Sequence, residues 1–408
     1  MVVLYFDEDK LPWCASKIGT GRMFQGWPAN SFAAEFSSFP SGIDDSESMR
    51  VTNKFRLRPS SRRLEKGYYI VHCNNTMMTK NLLPLATVPT EVIERVNANQ
   101  IDILLVTWHE PFIFSGDLET NTKSWHELMC YTMNFLGITR QNSIKVLTSV
   151  LDLQLPDDDS RYSLVKFDYF EFHYKNKLSN NNKLISATFT HPDRRLFLCL
   201  NKVPRSHRFH LWHALNRQGL LNHGHVSMWP DAGWEAVRDY DYGESELQDY
   251  IRSLQDRSIK PWVLDHARGE DEYTFDSWLY QDTDISLISE TCFYDDQLFI
   301  TEKIYKAIAN FHPFIIVGPT RSLEYLRSRG YRTFDAVWDE SYDTVPNTPD
   351  KITAIVKLLN ELNQIKRNDF ERWKSMMLQC MEIAAHNERL FMSRDHETSL
   401  YEALSVPL

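Results

Sequence analysis

Residues 289–318 read SETCFYDDQLFITEKIYKAIANFHPFIIVG, and this stretch decides the fold of the second half of the chain. Its middle predicts a short helix, because apolar residues recur there at helical spacing, at Ile304, Ala307, Ile308 and Phe311. Residues 314–317 then form a continuous apolar run, typical of a strand that is covered on both faces. A helix that leads into such a strand predicts one unit of a parallel α/β sheet.

The first turn of this predicted helix carries Glu302 and Lys303. A glutamate suits the positive end of a helix dipole, whereas a lysine does not. A lysine in this position is explained if an anion binds there, since free backbone N–H groups, the dipole and an ammonium together make a phosphate site. The neighbouring carboxylate would accept hydrogen bonds from ribose hydroxyls. The sequence therefore suggests a nucleotide-sugar site, and the alternative is an ordinary amphipathic helix with an exposed Glu–Lys pair.

This segment resembles the donor-site motif of the α1,3-fucosyltransferase-like glycosyltransferases, in which Phe/Tyr-x-Thr-Glu-Lys precedes a short helix and a Pro-led apolar strand ending in Gly. The matching positions are Phe299, Thr301, Glu302, Lys303, Pro313 and Gly318. The resemblance implies that Thr301 belongs to the donor site, that Glu302 holds the donor ribose and that Lys303 holds a donor phosphate. It also suggests a GDP-linked sugar as co-substrate, with no other cofactor.

The composition of the chain is that of a globular protein with room for two domains. The chain has 408 residues, 42% of them hydrophobic and 25% charged. A net charge of -10 argues against a general nucleic-acid binder, because phosphate contacts need clustered Lys and Arg. The six cysteines are scattered and contain no Cys-x-x-Cys motif, so we expect reduced thiols.

The amino terminus, MVVLYFDED, has neither the basic start nor the long apolar core of a secretory signal. No apolar run approaches the roughly 20 residues that span a bilayer. We therefore expect a cytoplasmic enzyme without a membrane span, unlike the membrane-anchored members of the family that it resembles.

Strand and helix patterns alternate along the chain, which predicts parallel sheets. The predicted strands are residues 2–6, 68–72, 101–108, 144–151, 195–200, 262–264, 285–289, 314–317 and 331–334. The predicted helices are residues 90–97, 123–135, 209–218, 322–329, 351–365 and 368–391. This order indicates an α/β protein with two Rossmann-like domains in tandem and C-terminal helices, and the resemblance implies the GT-B arrangement. We assign residues 1–192 to an acceptor domain, 193–366 to a donor domain and 367–408 to a helical segment.

A short basic loop follows the first strand of the second domain. Lys202, Arg205 and Arg208 bring three positive charges to the carboxyl end of that strand, where ligands bind in open α/β sheets. They would neutralise a departing nucleoside diphosphate, since Arg grips phosphate bidentately. A solvated basic loop is the alternative. Glu290 ends the next predicted strand and would either orient Lys303, bind ribose or serve as a structural cap or ion pair.

A transferase also needs a base for the acceptor hydroxyl. Glu110 is the first candidate and His109 the second, because both follow the predicted strand 101–108. A carboxylate with a raised pKa, or a neutral histidine, can take a proton near pH 7. A loop carboxylate without any role is the alternative.

No metal site is predicted. His207, His210 and His213 drift around one helix, and zinc ligands converge more closely. Asp282 and Asp284 form an Asp-x-Asp of the kind that binds manganese in GT-A glycosyltransferases, but Asp284 precedes a strand instead of following one.

The sequence thus predicts a glycosyltransferase that moves a hexosyl or fucosyl group from a nucleotide-diphosphate sugar to a hydroxyl of a glycan or another acceptor. The resemblance implies inversion at the anomeric carbon without a metal. Two alternatives stay open, a DNA-modifying glycosyltransferase of a virus and a non-catalytic nucleotide-binding protein of the same fold. The charge balance makes nucleic acid an unfavoured partner.

Overall fold

The structure is a computed structural model that describes residues 2–6, 49–50, 55–59, 66–72, 83–86, 88–107, 118–154, 159–178, 192–201, 205–227, 277–291, 293, 298–346 and 348–405. The candidate residues His109, Glu110 and Lys202 and the strand predicted at 262–264 lie outside these ranges.

The chain divides into two compact units. The first consists of Met1–His173 and Asp395–Leu408, and the second of Tyr174–Arg394. The domain limits assigned from the sequence, between residues 192 and 193 and between residues 366 and 367, stay predictions. The helical segment expected at 367–408 contributes to both units, since its last part belongs to the first.

The first unit contains a seven-stranded sheet in the order β2-β3-β1-β4-β5-β6-β7. Its strands are β1 (Val2–Phe6), β2 (Met49–Arg50), β3 (Phe55–Pro59), β4 (Tyr68–His72), β5 (Asp102–Thr107), β6 (Ile144–Thr148) and β7 (Tyr162–Lys166). Adjacent strands are parallel except for β2 and β3. The central strands β5 and β6 are buried almost throughout, as expected of strands covered on both faces.

The second unit contains a four-stranded, wholly parallel sheet in the order β11-β10-β8-β9. Its strands are β8 (Arg195–Cys199), β9 (Gly224–Val226), β10 (Thr283–Ser289) and β11 (Phe314–Val317). All residues of β10 and β11 are buried. Because the strands are parallel, their carboxyl ends meet at one edge of the sheet, where Asn201, Glu290 and Gly318 follow β8, β10 and β11.

Helices connect and cover the strands. The first unit has α1 (Leu83–Ala86), α2 (Thr90–Asn97) and α3 (Leu118–Phe135). Helix α4 (Tyr169–Leu178) contains the boundary in sequence between the two units. The second unit has α5 (Ser206–Arg217), α6 (Ser277–Gln281), α7 (Glu302–Ala309), α8 (Ser322–Ser328), α9 (Thr348–Asn368) and α10 (Phe370–Ser393). The last helix, α11 (His396–Ser405), returns to the first unit, where Tyr68 and Lys145 donate hydrogen bonds to its final carbonyl groups.

The fold class predicted from the sequence is confirmed: two Rossmann-like α/β units in tandem, with helices at the C-terminus. The helix–strand unit that the opening segment predicts is present as α7 and β11. Helix α9 buries the predicted apolar face, which consists of Ile352, Ile355, Val356, Leu359 and Leu362. The prediction for 331–334 is wrong, because this segment is not a strand.

The segment after α8 is held by side chains instead of a neighbouring strand. The amide of Asn387 bonds both backbone groups of Arg332, and the Glu340 carboxylate accepts the N–H of Phe334. Gly330, at φ 85°, ends α8 in the left-handed conformation that favours glycine. With its backbone groups satisfied in this way, the segment does not extend the sheet beyond β11.

Asp284 lies at the amino end of β10 in a buried ionic cluster of the second unit. Lys366 Nζ lies 2.6 Å and Trp373 Nε1 3.2 Å from Asp284 Oδ2, while Arg194 Nε lies 3.3 Å from Oδ1. The cluster joins β10 to α9 and α10. Breaking a buried pair by removing one partner is strongly destabilising, because the other charge stays buried.

In the parts of the chain that the structure describes, no helix combines the length and the apolar character needed to cross a membrane.

The buried ionic cluster around Asp284 can be tested by mutation. Asp284→Ala should lower the free energy of unfolding by about 3–5 kcal/mol, because it leaves the buried charges of Lys366 and Arg194 uncompensated. Asp282→Ala is the matched control. The Asp282 side chain is 48% exposed and pairs with His225, so its loss should cost only about 0–1 kcal/mol. Urea denaturation followed by circular dichroism measures both changes, and equal effects of the two substitutions would contradict the structural role of Asp284.

Candidate functional site

The carboxyl end of β10 and the amino end of α7 lie side by side and form the candidate site. Glu290 follows β10 directly, and Thr301 precedes α7 in an extended conformation with φ -114° and ψ -178°. Two hydrogen bonds join these residues, from Thr301 Oγ1 to Glu290 Oε2 at 2.5 Å and from Thr301 N to Oε1 at 3.2 Å. The Thr301 side chain therefore serves Glu290 and makes no capping bond to α7.

The Lys303 ammonium is fixed above the first turn of α7. Its Nζ donates to Thr291 Oγ1 at 2.9 Å, to Thr301 Oγ1 at 3.0 Å and to Glu302 Oε1 at 3.2 Å. The Lys303 side chain remains 23% exposed. A partly exposed ammonium thus lies at the end of a helix whose first N–H groups carry partial positive charge. This arrangement suits an anion.

Glu302 is buried beside this ammonium and is ionised. Burial acts to raise the pKa of Glu302, but the charges of Lys303 and Lys306 outweigh it, and the pKa lies below its ordinary value. An ionised carboxylate only accepts hydrogen bonds, so Glu302 suits hydroxyl groups of a ligand and repels phosphate. Glu302 and Lys303 therefore favour different groups of one ligand.

Glu290 is completely buried, and its carboxylate oxygens accept hydrogen bonds from the protein itself. Besides the two bonds from Thr301, its Oε2 accepts the N–H of Thr291 at 3.3 Å. Burial raises the pKa of this carboxyl, while the charge of Lys303 and the Thr301 hydroxyl act in the opposite direction. Of the roles that the sequence left open, the geometry favours orientation of Lys303, because Thr301 bonds both side chains at once.

Helix α5 holds the same strand end from the other side. His207 Nε2 lies 2.9 Å from the Glu290 carbonyl oxygen, and Arg208 donates to the carbonyls of Ser289 and Glu290 at 3.3 and 3.1 Å. Burial and the nearby charge of Arg208 lower the pKa of His207 far below its ordinary value, so the imidazole is neutral and donates through Nε2–H. Arg208 thus contacts backbone in this structure. Arg205 precedes α5 and is partly exposed.

The structure adds residues that the motif did not single out. Thr291 binds Lys303, and the Phe293 ring lies 5.4 Å from that of His207. The buried Lys351 of α9 donates to the Gly318 carbonyl at 3.1 Å and places its Nζ 5.3 Å from the centre of the Phe293 ring. Thr291 and Phe293 stand inside the opening segment, but Lys351 is far along the chain and no local pattern indicates it.

Gly318, part of the family motif, meets Glu290 closely. A Cβ at this position would lie 3.1 Å from Glu290 Cγ and 3.3 Å from its Cβ. A side chain at position 318 would therefore require the Glu290 side chain to shift by a few tenths of an ångström.

The two aspartates discounted as metal ligands have other partners. Asp284 belongs to the ionic cluster of β10, and Asp282 Oδ2 lies 2.6 Å from His225 Nε2. Within the described ranges, no group of three or more His, Cys, Asp and Glu side chains could hold a metal ion.

Comparison with known proteins gives little further guidance. No protein-family model matches the chain, and no curated protein matches it. Among solved structures, the crystal structure of an α1,3-fucosyltransferase is 10% identical and covers 83% of this chain and 93% of its own, with a TM-score of 0.28. A likeness at this TM-score carries no argument about function.

The bond between Thr301 and Glu290 can be tested by a double-mutant cycle. Thr301→Val removes the hydroxyl at almost constant volume and leaves one oxygen of a buried carboxylate without its donor, which should cost about 1–3 kcal/mol of unfolding free energy. In a Glu290→Met background the same substitution should cost much less, because no buried carboxylate then needs that hydroxyl. Urea denaturation of the four proteins measures the coupling, and equal costs in both backgrounds would contradict it.

Proposed function

We propose that this protein is a glycosyltransferase that uses a nucleotide-diphosphate sugar. The observation that carries the proposal is the Lys303 ammonium, held by two threonine hydroxyls at the first turn of α7 with the ionised Glu302 beside it. Lys303 and the helix N-terminus bind the diphosphate, and Glu302 accepts hydrogen bonds from the ribose hydroxyls. The motif resemblance supports the same division of roles.

The chemistry needs positive charge where the leaving group forms. When the bond between the anomeric carbon and the diphosphate breaks, negative charge grows on the diphosphate oxygens. Cationic and N–H donors that are already fixed in position stabilise this charge without reorganising during the reaction. Lys303 meets this condition because three protein oxygens hold its ammonium within 3.2 Å.

Arg205 is the preferred second cation in this proposal. Arg208 already donates to two backbone carbonyls of the strand end, whereas Arg205 is partly exposed. Lys202, three residues before Arg205 in the sequence, is also proposed to neutralise the departing diphosphate. Glu110 is the proposed base, with His109 as the second choice, and it removes the proton of the attacking acceptor hydroxyl. The acceptor is a glycan or another hydroxyl compound, and direct displacement inverts the anomeric carbon.

A thermal-shift screen of nucleoside diphosphates and nucleotide sugars tests the proposal. Specific binding raises the apparent stability by mass action, so one hit identifies the base and the sugar together. If no nucleotide or nucleotide sugar stabilises the protein or is turned over, the proposed function is wrong.

Lys303→Ala should weaken binding of the nucleoside diphosphate found in that screen by about 1.5–3 kcal/mol, the range for hydrogen bonds to charged groups. Calorimetry on the folded variant measures the change. Lys357→Ala is the matched control, because its side chain is 78% exposed and pairs only weakly with Glu361 one turn along α9. Unchanged affinity in Lys303→Ala would remove Lys303 from the site.

Transfer should persist in excess EDTA. Lys303, Arg205 and the amino end of α7 supply the positive charge that a metal ion provides in other glycosyltransferases. The measurement is the rate of sugar transfer before and after chelation. Complete loss of the rate, with recovery on adding manganese, would overturn metal-independent catalysis.

A further inference from the structure

Two side chains at the carboxyl edge of the second sheet have polar atoms that no protein group satisfies. Asn201 and Ser289 are each 1% exposed, and neither Asn201 Oδ1 nor Ser289 Oγ has a hydrogen-bond partner in the described chain. A buried polar atom without a partner costs about 1–3 kcal/mol. Such atoms are rare in native proteins, and each needs a physical reason.

The rest of Asn201 is firmly placed. Its backbone N–H donates to Ser227 Oγ at 3.0 Å, and its Nδ2 donates to Cys199 Sγ at 3.3 Å. The backbone bond places the residue, and the bond from Nδ2 orients the carboxamide so that Oδ1 is the atom left over. Ser289 is also fixed through its backbone, since its carbonyl accepts from Arg208.

The two residues stand at the same edge of the sheet. Leu198 of β8 pairs with Ser286 of β10, and Asn201 and Ser289 each follow that pair by three residues. Ser289 is the last residue of β10, whereas Asn201 lies two residues past the end of β8. Adjacent parallel strands lie about 4.8 Å apart, so both residues belong to one edge of two neighbouring strands.

The position lies next to the proposed donor site. Ser289 directly precedes Glu290, whose carboxylate positions Thr301 and through it Lys303. Arg205, which begins α5, also has a buried Nε without a hydrogen-bond partner in the described chain. The unsatisfied atoms thus gather where β8 and β10 end and α5 starts.

The chemistry of the pair selects its ligand. A carboxamide oxygen only accepts hydrogen bonds, so it does not bind a phosphate oxygen, which also only accepts. A serine hydroxyl can donate or accept. A ligand hydroxyl matches both, because its single proton is donated to Asn201 Oδ1 while its oxygen accepts from the Ser289 hydroxyl.

We propose that Asn201 and Ser289 together bind a hydroxyl group of the nucleotide-sugar donor. This inference rests on the proposed function and assigns a second contact that the Thr-Glu-Lys motif does not include. The hydroxyl belongs either to the transferred sugar or to the ribose.

The test uses the full chain and measures dissociation constants by calorimetry. The probes are GDP-fucose, GDP and 2′,3′-dideoxy-GDP, with UDP-galactose, UDP and 2′,3′-dideoxy-UDP as a second set. Asn201→Leu and Ser289→Ala remove the two polar atoms, and Ser328→Ala, an exposed serine of α8, is the control. Ser289→Ala is the smaller change and keeps the test valid if Asn201→Leu does not fold.

We expect each site variant to weaken the nucleotide sugar that the wild type binds by about 10-fold, as for the loss of one hydrogen bond. If the affinity for the nucleoside diphosphate is unchanged, the hydroxyl is on the transferred sugar. If that affinity falls as well, but the dideoxy nucleotide binds wild type and variants alike, the hydroxyl is on the ribose.

Two results would overturn the proposal. Unchanged affinity for every probe would mean that the pair has only a structural role, for example around an ordered water. An equal loss for all three probes of a set would indicate a general disturbance of the site. A wild type that binds neither set would instead refute the proposed use of these donors, and this inference with it.

Discussion

The second unit depends on a carboxylate that has been taken out of water. Glu290 is fully buried, and burying a charge is costly unless hydrogen bonds replace its hydration. Thr301 and Thr291 supply those bonds to the side chain, and His207 and Arg208 hold the carbonyl of the same residue. Satisfying one residue thus fixes the end of β10, the start of α5 and the start of α7 relative to one another.

The same bonds prepare Lys303 for an anion. Thr301 Oγ1 donates to Glu290 and accepts from Lys303, so the hydroxyl is used in both directions. A lysine has high rotamer entropy, and ordering it ahead of binding reduces the entropic cost of capturing a diphosphate. In the proposed function Glu290 is therefore a positioning residue, and Glu302 and Lys303 are the pair that would meet the ligand.

Much of this arrangement could be predicted from local sequence. Helix α7 and strand β11 follow from the apolar period and the Pro-led run, and Glu302 and Lys303 from their place in the first turn. Residues 331–334 include Tyr, Thr and Phe, residue types that are enriched in strands. Asn387 and Glu340, which both lie outside the segment, bind its backbone groups instead. The hydrogen bond of Lys351 to Gly318, and the common sheet edge of Asn201 and Ser289, likewise depend on elements distant in sequence, which one sequence does not encode locally.

The two acidic residues at opposite ends of β10 show why the proposed site lies at only one of these ends. Asp284, at the amino end, is matched by Lys366 and Arg194, each less than 10% exposed, so its charge is neutralised inside the protein. Glu290, just past the carboxyl end, accepts hydrogen bonds from Thr301 and Thr291 and lies near Lys303, which keeps 23% of its side chain exposed. Lys303 pairs with Glu302 at 3.2 Å, but unlike the buried Lys366 it remains partly open to solvent, where a ligand can reach it. The placement agrees with the general position of ligands at the carboxyl ends of parallel strands.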